Sequence, residues 1–135
     1  MALNLQQGRQ LQAERLATEG VKIDTACVFC DIIAERASAT IVRAWPETIA
    51  ITPIDPVTPG HVLVIPHTHV TDVAESPEVS ARTMARAAEL AAEHPAVNII
   101  TSRGKAATQS VFHLHLHVVP RVPGDGLFLP WTSRP

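Results

Sequence analysis

The stretch Gln109-Ser110-Val111-Phe112-His113-Leu114-His115-Leu116-His117-Val118-Val119-Pro120 alternates histidine with leucine, then runs through two valines into a proline. Successive side chains of a β-strand point to opposite faces, so residues two apart share a face. The spacing predicts a strand with His113, His115 and His117 on one face and Leu114, Leu116 and Val118 on the other. The leucine face suits a core. Pro120 has no backbone N–H and would end the ladder.

One histidine on a strand is most often a hydrogen-bonded structural residue. Three on one face are harder to account for in that way. Each ring withdrawn from water needs partners for two nitrogens, and mutual repulsion disfavours charging all three. Two kinds of chemistry meet those demands. One is a metal site, which takes neutral imidazole. The other is a nucleophilic or acid–base histidine helped by its neighbours.

At 135 residues and 46% apolar content, the chain has the size of one domain with a sizeable core. A formal charge of −2 with no run of like charges argues against a broad nucleic-acid or membrane surface, but not against a small anionic ligand. No apolar run is long enough to cross a bilayer. Residues 1–10 lack the basic and apolar regions of a signal peptide, so a soluble cytoplasmic protein is expected. Cys27 and Cys30 are too few and too close for a disulfide framework. In a reducing compartment they are free thiols or metal ligands.

Working outward from the histidines, residues 3–19 predict a helix with a thin leucine stripe, stopped at Gly20. Residues 1–26 are therefore expected to form an N-terminal helical extension. A short helix or turn follows Cys27-Val28-Phe29-Cys30. Residues 40–45 and 47–52 predict a hairpin of two strands around Pro46-Glu47. His61-Val62-Leu63-Val64-Ile65 is nearly continuous in apolar residues and predicts a strand buried on both faces, ended by Pro66. His67-Thr68-His69 follows in a loop. Ser76-Pro77-Glu78 opens the main helix with an N-cap, a proline at the first helical position and an acid in the first turn. Val79, Met84, Ala87, Ala88, Leu90 and Ala91 are expected on its apolar side. Residues 96–101 predict another strand, and residues 102–108 a polar loop before the histidine strand. Strands and helices do not alternate regularly. An α+β fold is expected, with a mainly antiparallel five-stranded sheet.

With these blocks in place, the chain resembles the histidine triad (HIT) superfamily. His113-Leu114-His115-Leu116-His117-Val118-Val119 meets its His-x-His-x-His signature. Three more blocks agree in order and spacing: Cys27-Val28-Phe29-Cys30-Asp31-Ile32-Ile33, Thr58-Pro59-Gly60-His61 through His69, and Gln109-Ser110-Val111-Phe112. The resemblance runs from residue 27 to 121, and residues 27–135 are expected to form one HIT domain. It implies a homodimer whose two sheets join, with a nucleotide-binding cleft in each subunit. The branch it most resembles contains nucleoside phosphoramidases and related nucleotide hydrolases. There the position of His115 is the nucleophile, which attacks the α-phosphorus and forms a nucleotidyl-histidine that water then hydrolyses. Imidazole suits that task because it is a good nucleophile near neutral pH, and a covalent step divides one difficult displacement into two easier ones. The resemblance implies a phosphate contact for His117, a supporting role for His61, and substrate-binding positions at Gln109, Ser110 and Ser102. It also implies a structural zinc ion held by Cys27, Cys30, His69 and His113, a closed set of two thiolates and two imidazoles.

Two departures from the family pattern bear on substrate. Where many nucleotide-hydrolysing members carry an acid for the ribose hydroxyls, this chain has Pro53, with Asp55 two residues on. In the loop before the histidines, Ser102, Arg103-Gly104-Lys105 and Thr108 replace the usual Asn, Gly-acid and Gly. Arg103 and Lys105 are either solvated loop cations or extra charge for more phosphates. Two competing readings are a zinc-stabilised nucleotide-binding or scaffold protein with little catalysis, and a catalytic metal held by all three histidines.

Overall fold

A computed structural model describes residues 26–132. The expected helix over residues 3–19 lies outside the described residues. Five strands form one sheet: β1 (Ile41–Ala44), β2 (Thr48–Ile51), β3 (Val62–Pro66), β4 (Val97–Ile100) and β5 (Leu116–Pro120). Their order is β1-β2-β3-β5-β4, and every neighbouring pair is antiparallel. The expected α+β architecture with a five-stranded antiparallel sheet is what the chain adopts.

The sheet has a core on each face. Strand side chains alternate, so β3 sends Leu63 and Ile65 one way and Val64 the other, and all three are buried. Leu63 and Ile65 join Ile49 and Ile51 beneath the short helix α1 (Val28–Ile33), which contributes Phe29, Ile32 and Ile33. Val64 joins Ala50, Leu116 and Val118 beneath the main helix α2 (Pro77–Ala91), which contributes Ala87 and Leu90. A strand buried on both faces is the signature read from residues 61–65, with β3 beginning one residue later.

Helix α2 opens as its sequence predicts. Ser76 Oγ accepts from the Val79 N–H at 3.3 Å, Pro77 takes the first turn and Glu78 faces the helix's positive end. Its buried stripe is narrower than expected. Thr83, Ala87 and Leu90 are buried, whereas Met84 is 43% exposed and Ala88 faces solvent. At about 100° per residue, the line through Val79, Thr83, Ala87 and Leu90 meets the sheet, and Met84 lies about 100° off Thr83. Thr83 tolerates burial because its hydroxyl donates to the Val79 carbonyl at 2.8 Å.

The histidine stretch departs from prediction in one respect. Only His117 lies inside β5; His113 and His115 precede it in an irregular segment. The backbone there is engaged elsewhere. The Leu114 N–H donates to the Val70 carbonyl at 2.8 Å, and the His115 carbonyl accepts the Thr101 hydroxyl at 2.8 Å. The alternation survives without the ladder, since Leu114, Leu116 and Val118 all enter the α2 core. No helix of the described residues is long and apolar enough to cross a membrane.

Candidate active site and metal centre

The three histidines of the row have separate surroundings. His113 is fully buried and turned toward the start of α1. Its Nδ1 lies 3.4 Å from Cys27 Sγ, 3.5 Å from Cys30 Sγ and 3.1 Å from His69 Nδ1. Cys30 Sγ lies 3.4 Å from His69 Nδ1. The four ligand atoms all fall within 4.8 Å of one another, and all four residues are buried. A tetrahedral ion with the usual Zn–S and Zn–N lengths would set N···S edges of about 3.5 Å and an N···N edge of about 3.3 Å. The four N···S and N···N spacings of 3.1 to 3.5 Å match those figures.

The tautomers match as well. The His113 Nε2–H donates to the Pro66 carbonyl at 2.9 Å, which leaves Nδ1 as a bare lone pair aimed into the cluster. Burial lowers the His113 pKa to about 4, opposed by the Pro66 carbonyl and reinforced by His69, His115 and His67, so the ring is neutral as a ligand must be. Cys27, Cys30, His69 and His113 are thus placed to bind a metal. The cluster ties α1 to the loop after β3 and to the segment before β5, as its sequence positions imply.

His115 is half-buried. Its Nδ1–H donates to the His113 carbonyl at 2.8 Å, so the lone pair resides on Nε2. Burial lowers its pKa, opposed by that carbonyl bond. The Phe29 ring meets it edge-to-face, with centroids 5.0 Å apart.

His117 is paired with His61, Nδ1 to Nε2, at 3.0 Å. The Val57 N–H donates to His61 Nδ1 at 3.1 Å, which makes that nitrogen an acceptor. A neutral His61 then carries its proton on Nε2 and donates to His117 Nδ1. His117 in turn carries its proton on Nε2. Burial lowers the pKa of His61, and burial together with His115 and His61 lowers that of His117 to about 4, so both rings are neutral near pH 7. The His115 and His117 ring centroids lie 5.2 Å apart with the planes at 60°, so a ring with a bare Nε2 neighbours a ring that carries an Nε2–H.

The other expected residues are spread around this pair. Ser110 is exposed in the segment before His113 and lines a cleft of about 320 Å³ shared with Cys27 and His69. Ser102 is half-buried in the loop after β4, next to Thr101. Gln109 is buried. Its Oε1 accepts the Gly104 N–H at 2.8 Å, and its Nε2 donates to the Thr71 and Val111 carbonyls at 2.8 and 3.2 Å. Both amide protons are engaged by backbone, so Gln109 braces loops rather than offering a free N–H to a ligand. Arg103 pairs with Asp72 at 3.4 Å and is 67% exposed, and Lys105 is exposed in a 3-10 turn over Lys105–Ala107.

Three participants carry no recognisable sequence pattern. A cleft of about 710 Å³ runs from Val111 past Phe29 and Ile32 to Pro53 and Ile54. Phe29, inside the Cys-x-x-Cys block, lines it and packs edge-to-face on His115; a lone aromatic in that block was the only signal. The Val57 backbone N–H and the Thr101 hydroxyl act on the histidines through loop geometry alone.

An antiparallel sheet carrying a histidine pair beside a two-cysteine, two-histidine cluster defines a class of protein, and comparison with known proteins gives it a family. The chain belongs to the HIT family: the model described as "HIT domain" matches residues 34–124. A HIT-like protein of Mycobacterium tuberculosis, itself described as uncharacterized, is 41% identical over 108 residues, covering 75% of each chain. A Zn-bound histidine triad family protein from Mycobacterium smegmatis superposes with a TM-score of 0.71 at 40% identity, covering 76% of this chain and 80% of that one. An adenosine 5'-monophosphoramidase of Saccharomyces cerevisiae is 29% identical over 116 residues, covering 83% of this chain and 73% of that one.

Proposed function

We propose that this chain is a nucleotide hydrolase or transferase that acts at the α-phosphate of nucleoside phosphoramidates or related nucleotides, with His115 as nucleophile. The supporting observation is the bond from His115 Nδ1–H to the His113 carbonyl at 2.8 Å, which leaves the Nε2 lone pair for a substrate, on a ring packed edge-to-face with Phe29, itself a wall of the 710 Å³ cleft. His115 Nε2 attacks the α-phosphorus, the bond from phosphorus to the leaving nitrogen breaks, and that nitrogen takes a proton from solvent and departs as the amine, leaving His115 as a phosphorylated imidazolium. Water then attacks the phosphorus, the P–N bond to His115 breaks, and a nucleoside monophosphate is released. The His117 Nε2–H is a donor for a phosphoryl oxygen as charge develops, and His61 fixes that proton's position. The family resemblance gives Ser110 and Ser102 as further polar groups for the substrate, and Ser110 lines the 320 Å³ cleft that shares Val28 and Val111 with the larger one.

The metal cluster suits zinc, in line with the Zn-bound mycobacterial relative, and its role is structural because the set is closed. It anchors His113, whose carbonyl orients His115. Among the described residues no strand pairs with the outer edge of β4, where Ile100 is 41% exposed, which supports a homodimer joined through that edge. Cys27 and Cys30 are not joined in a disulfide, which suits a reducing compartment such as the cytoplasm. Residues 27–135 would act as one domain.

His115→Asn is the decisive variant. It should retain the fold and one metal ion per chain, and lose turnover of adenosine 5'-phosphoramidate. Rapid quenching of the native protein should trap an adenylyl adduct on His115 by mass spectrometry. Binding of adenosine monophosphate with neither turnover nor adduct would instead favour the zinc-stabilised binding protein.

A further inference from the structure

We infer that the cleft beside His115 holds the sugar of its nucleotide without gripping the ribose hydroxyls, so that ribo- and 2'-deoxyribonucleotides are alternative substrates. The inference rests on the proposed function, because it takes the phosphorus to lie at His115 Nε2. Phe29 links the two places, since it packs edge-to-face on His115 and lines the cleft, so the nucleoside attached to that phosphorus is assigned to the cleft. At about 710 Å³ the cleft is of a size for a nucleoside.

The wall chemistry carries the argument. Among the described residues, no charged side chain lines the cleft. Phe29, Ile32 and Leu63 offer apolar surface for a flat base. Its only polar side chains are the neutral hydroxyls of Ser38, Thr40 and Thr52. Selecting a vicinal diol calls for a carboxylate, whose charge-assisted bonds are roughly twice as strong as neutral ones. A site built around such an acceptor rejects the analogue lacking the hydroxyl, because its own polar group is left unpaired. Here the wall position is Pro53, which has no side-chain acceptor. The nearby Asp55, a possible substitute on sequence grounds, is exposed and does not line the cleft. Ile54, 97% exposed at the rim, separates the two.

The experiment compares kcat/KM of the full chain, with its metal, for adenosine 5'-phosphoramidate and its 2'-deoxy and 2',3'-dideoxy counterparts. Each deoxy compound should fall less than about tenfold below the ribo compound, within the range of a neutral hydrogen bond. A loss of tenfold or more overturns the inference. If none is turned over, Kd values for the matching monophosphates decide by the same ratio. A ratio under tenfold then upholds the inference while the catalytic reading falls, and absence of binding by all three overturns both. Pro53→Asp, which puts an acceptor into the wall, should raise the ribo-to-deoxy ratio at least fivefold over the native chain, while Pro53→Ala should not. An unchanged ratio in Pro53→Asp overturns the assignment of this wall to the sugar.

Discussion

His61 Nε2 lies 3.0 Å from His117 Nδ1, and the Val57 N–H at 3.1 Å on the other side of His61 gives the pair a direction. The chain of donors ends on His117 Nε2, the nitrogen free to face a substrate. Replacing His61 by phenylalanine would leave His117 Nδ1 without its donor and release the tautomer. We expect kcat for adenosine 5'-phosphoramidate to fall about tenfold or more, the scale of a misplaced acid–base group, with KM changing far less. Nitrogen-15 NMR of the native chain should find His117 protonated at Nε2. Finding the proton on Nδ1 instead would refute the arrangement.

The same pair makes stability pH-dependent. His117 titrates at about 4 in the folded chain, because burial and the neighbouring His115 and His61 oppose its charge, against about 6.5 unfolded. Above pH 6.5 neither state takes up a proton and the residue has no effect. Between about 6.5 and 4 the unfolded chain binds the extra proton, so stability declines as pH falls, by at most about 3 kcal/mol. Below about 4 the decline from this residue stops. Urea titrations across that window should find a shallower slope in His117→Gln than in the native chain. Equal slopes would assign the pH dependence to other groups.

Metal removal should act through stability. Cys27 caps α1 by accepting the Cys30 N–H at 3.4 Å, and the cluster joins α1 to the segments carrying His69 and His113. A metal that binds only the folded chain contributes about 4 kcal/mol at a free concentration a thousandfold above Kd. We expect one zinc per chain by elemental analysis, a lower Tm on chelation, and recovery on adding zinc back. Cys30→Ser should lower zinc content and Tm together. Full zinc loading of that variant would contradict the assigned ligand set.

The two-cysteine half of the metal cluster and the histidine row were legible in the sequence as spacings, while His69 and His113 as the other two ligands came from the family resemblance. Cys-x-x-Cys brings two thiols to one helix start, and alternation brings every second residue of residues 113–118 to one side. The sheet was legible for the same reason: β3 is apolar at consecutive positions because both faces are covered. What spacing could not convey is where backbone groups find partners. Leu114 bonds to Val70, and the His115 carbonyl to Thr101, so the strand begins only at Leu116. Nor could it tell whether the Gln109 amide faces a ligand or a loop, or whether Asp55 turns into the cleft.

Gln109 gives the last prediction. Its side chain joins Gly104, Thr71 and Val111 through three hydrogen bonds, and it follows Thr108, a β-branched residue at φ +69°. A left-handed threonine costs of order 1–3 kcal/mol and persists only when its surroundings hold it. Gln109→Leu would take their side-chain partner from the part-buried Gly104 N–H and Thr71 carbonyl, at roughly 1–3 kcal/mol in total. Gln109→Glu keeps an acceptor for Gly104 but turns an oxygen toward two carbonyls, so it should be no milder. We expect both variants to lower the urea midpoint and to raise KM, since Ser110 and Val111 lose their brace. A glutamine that contacted phosphate directly would behave differently: Gln109→Glu would abolish binding by charge repulsion and leave the midpoint where it was.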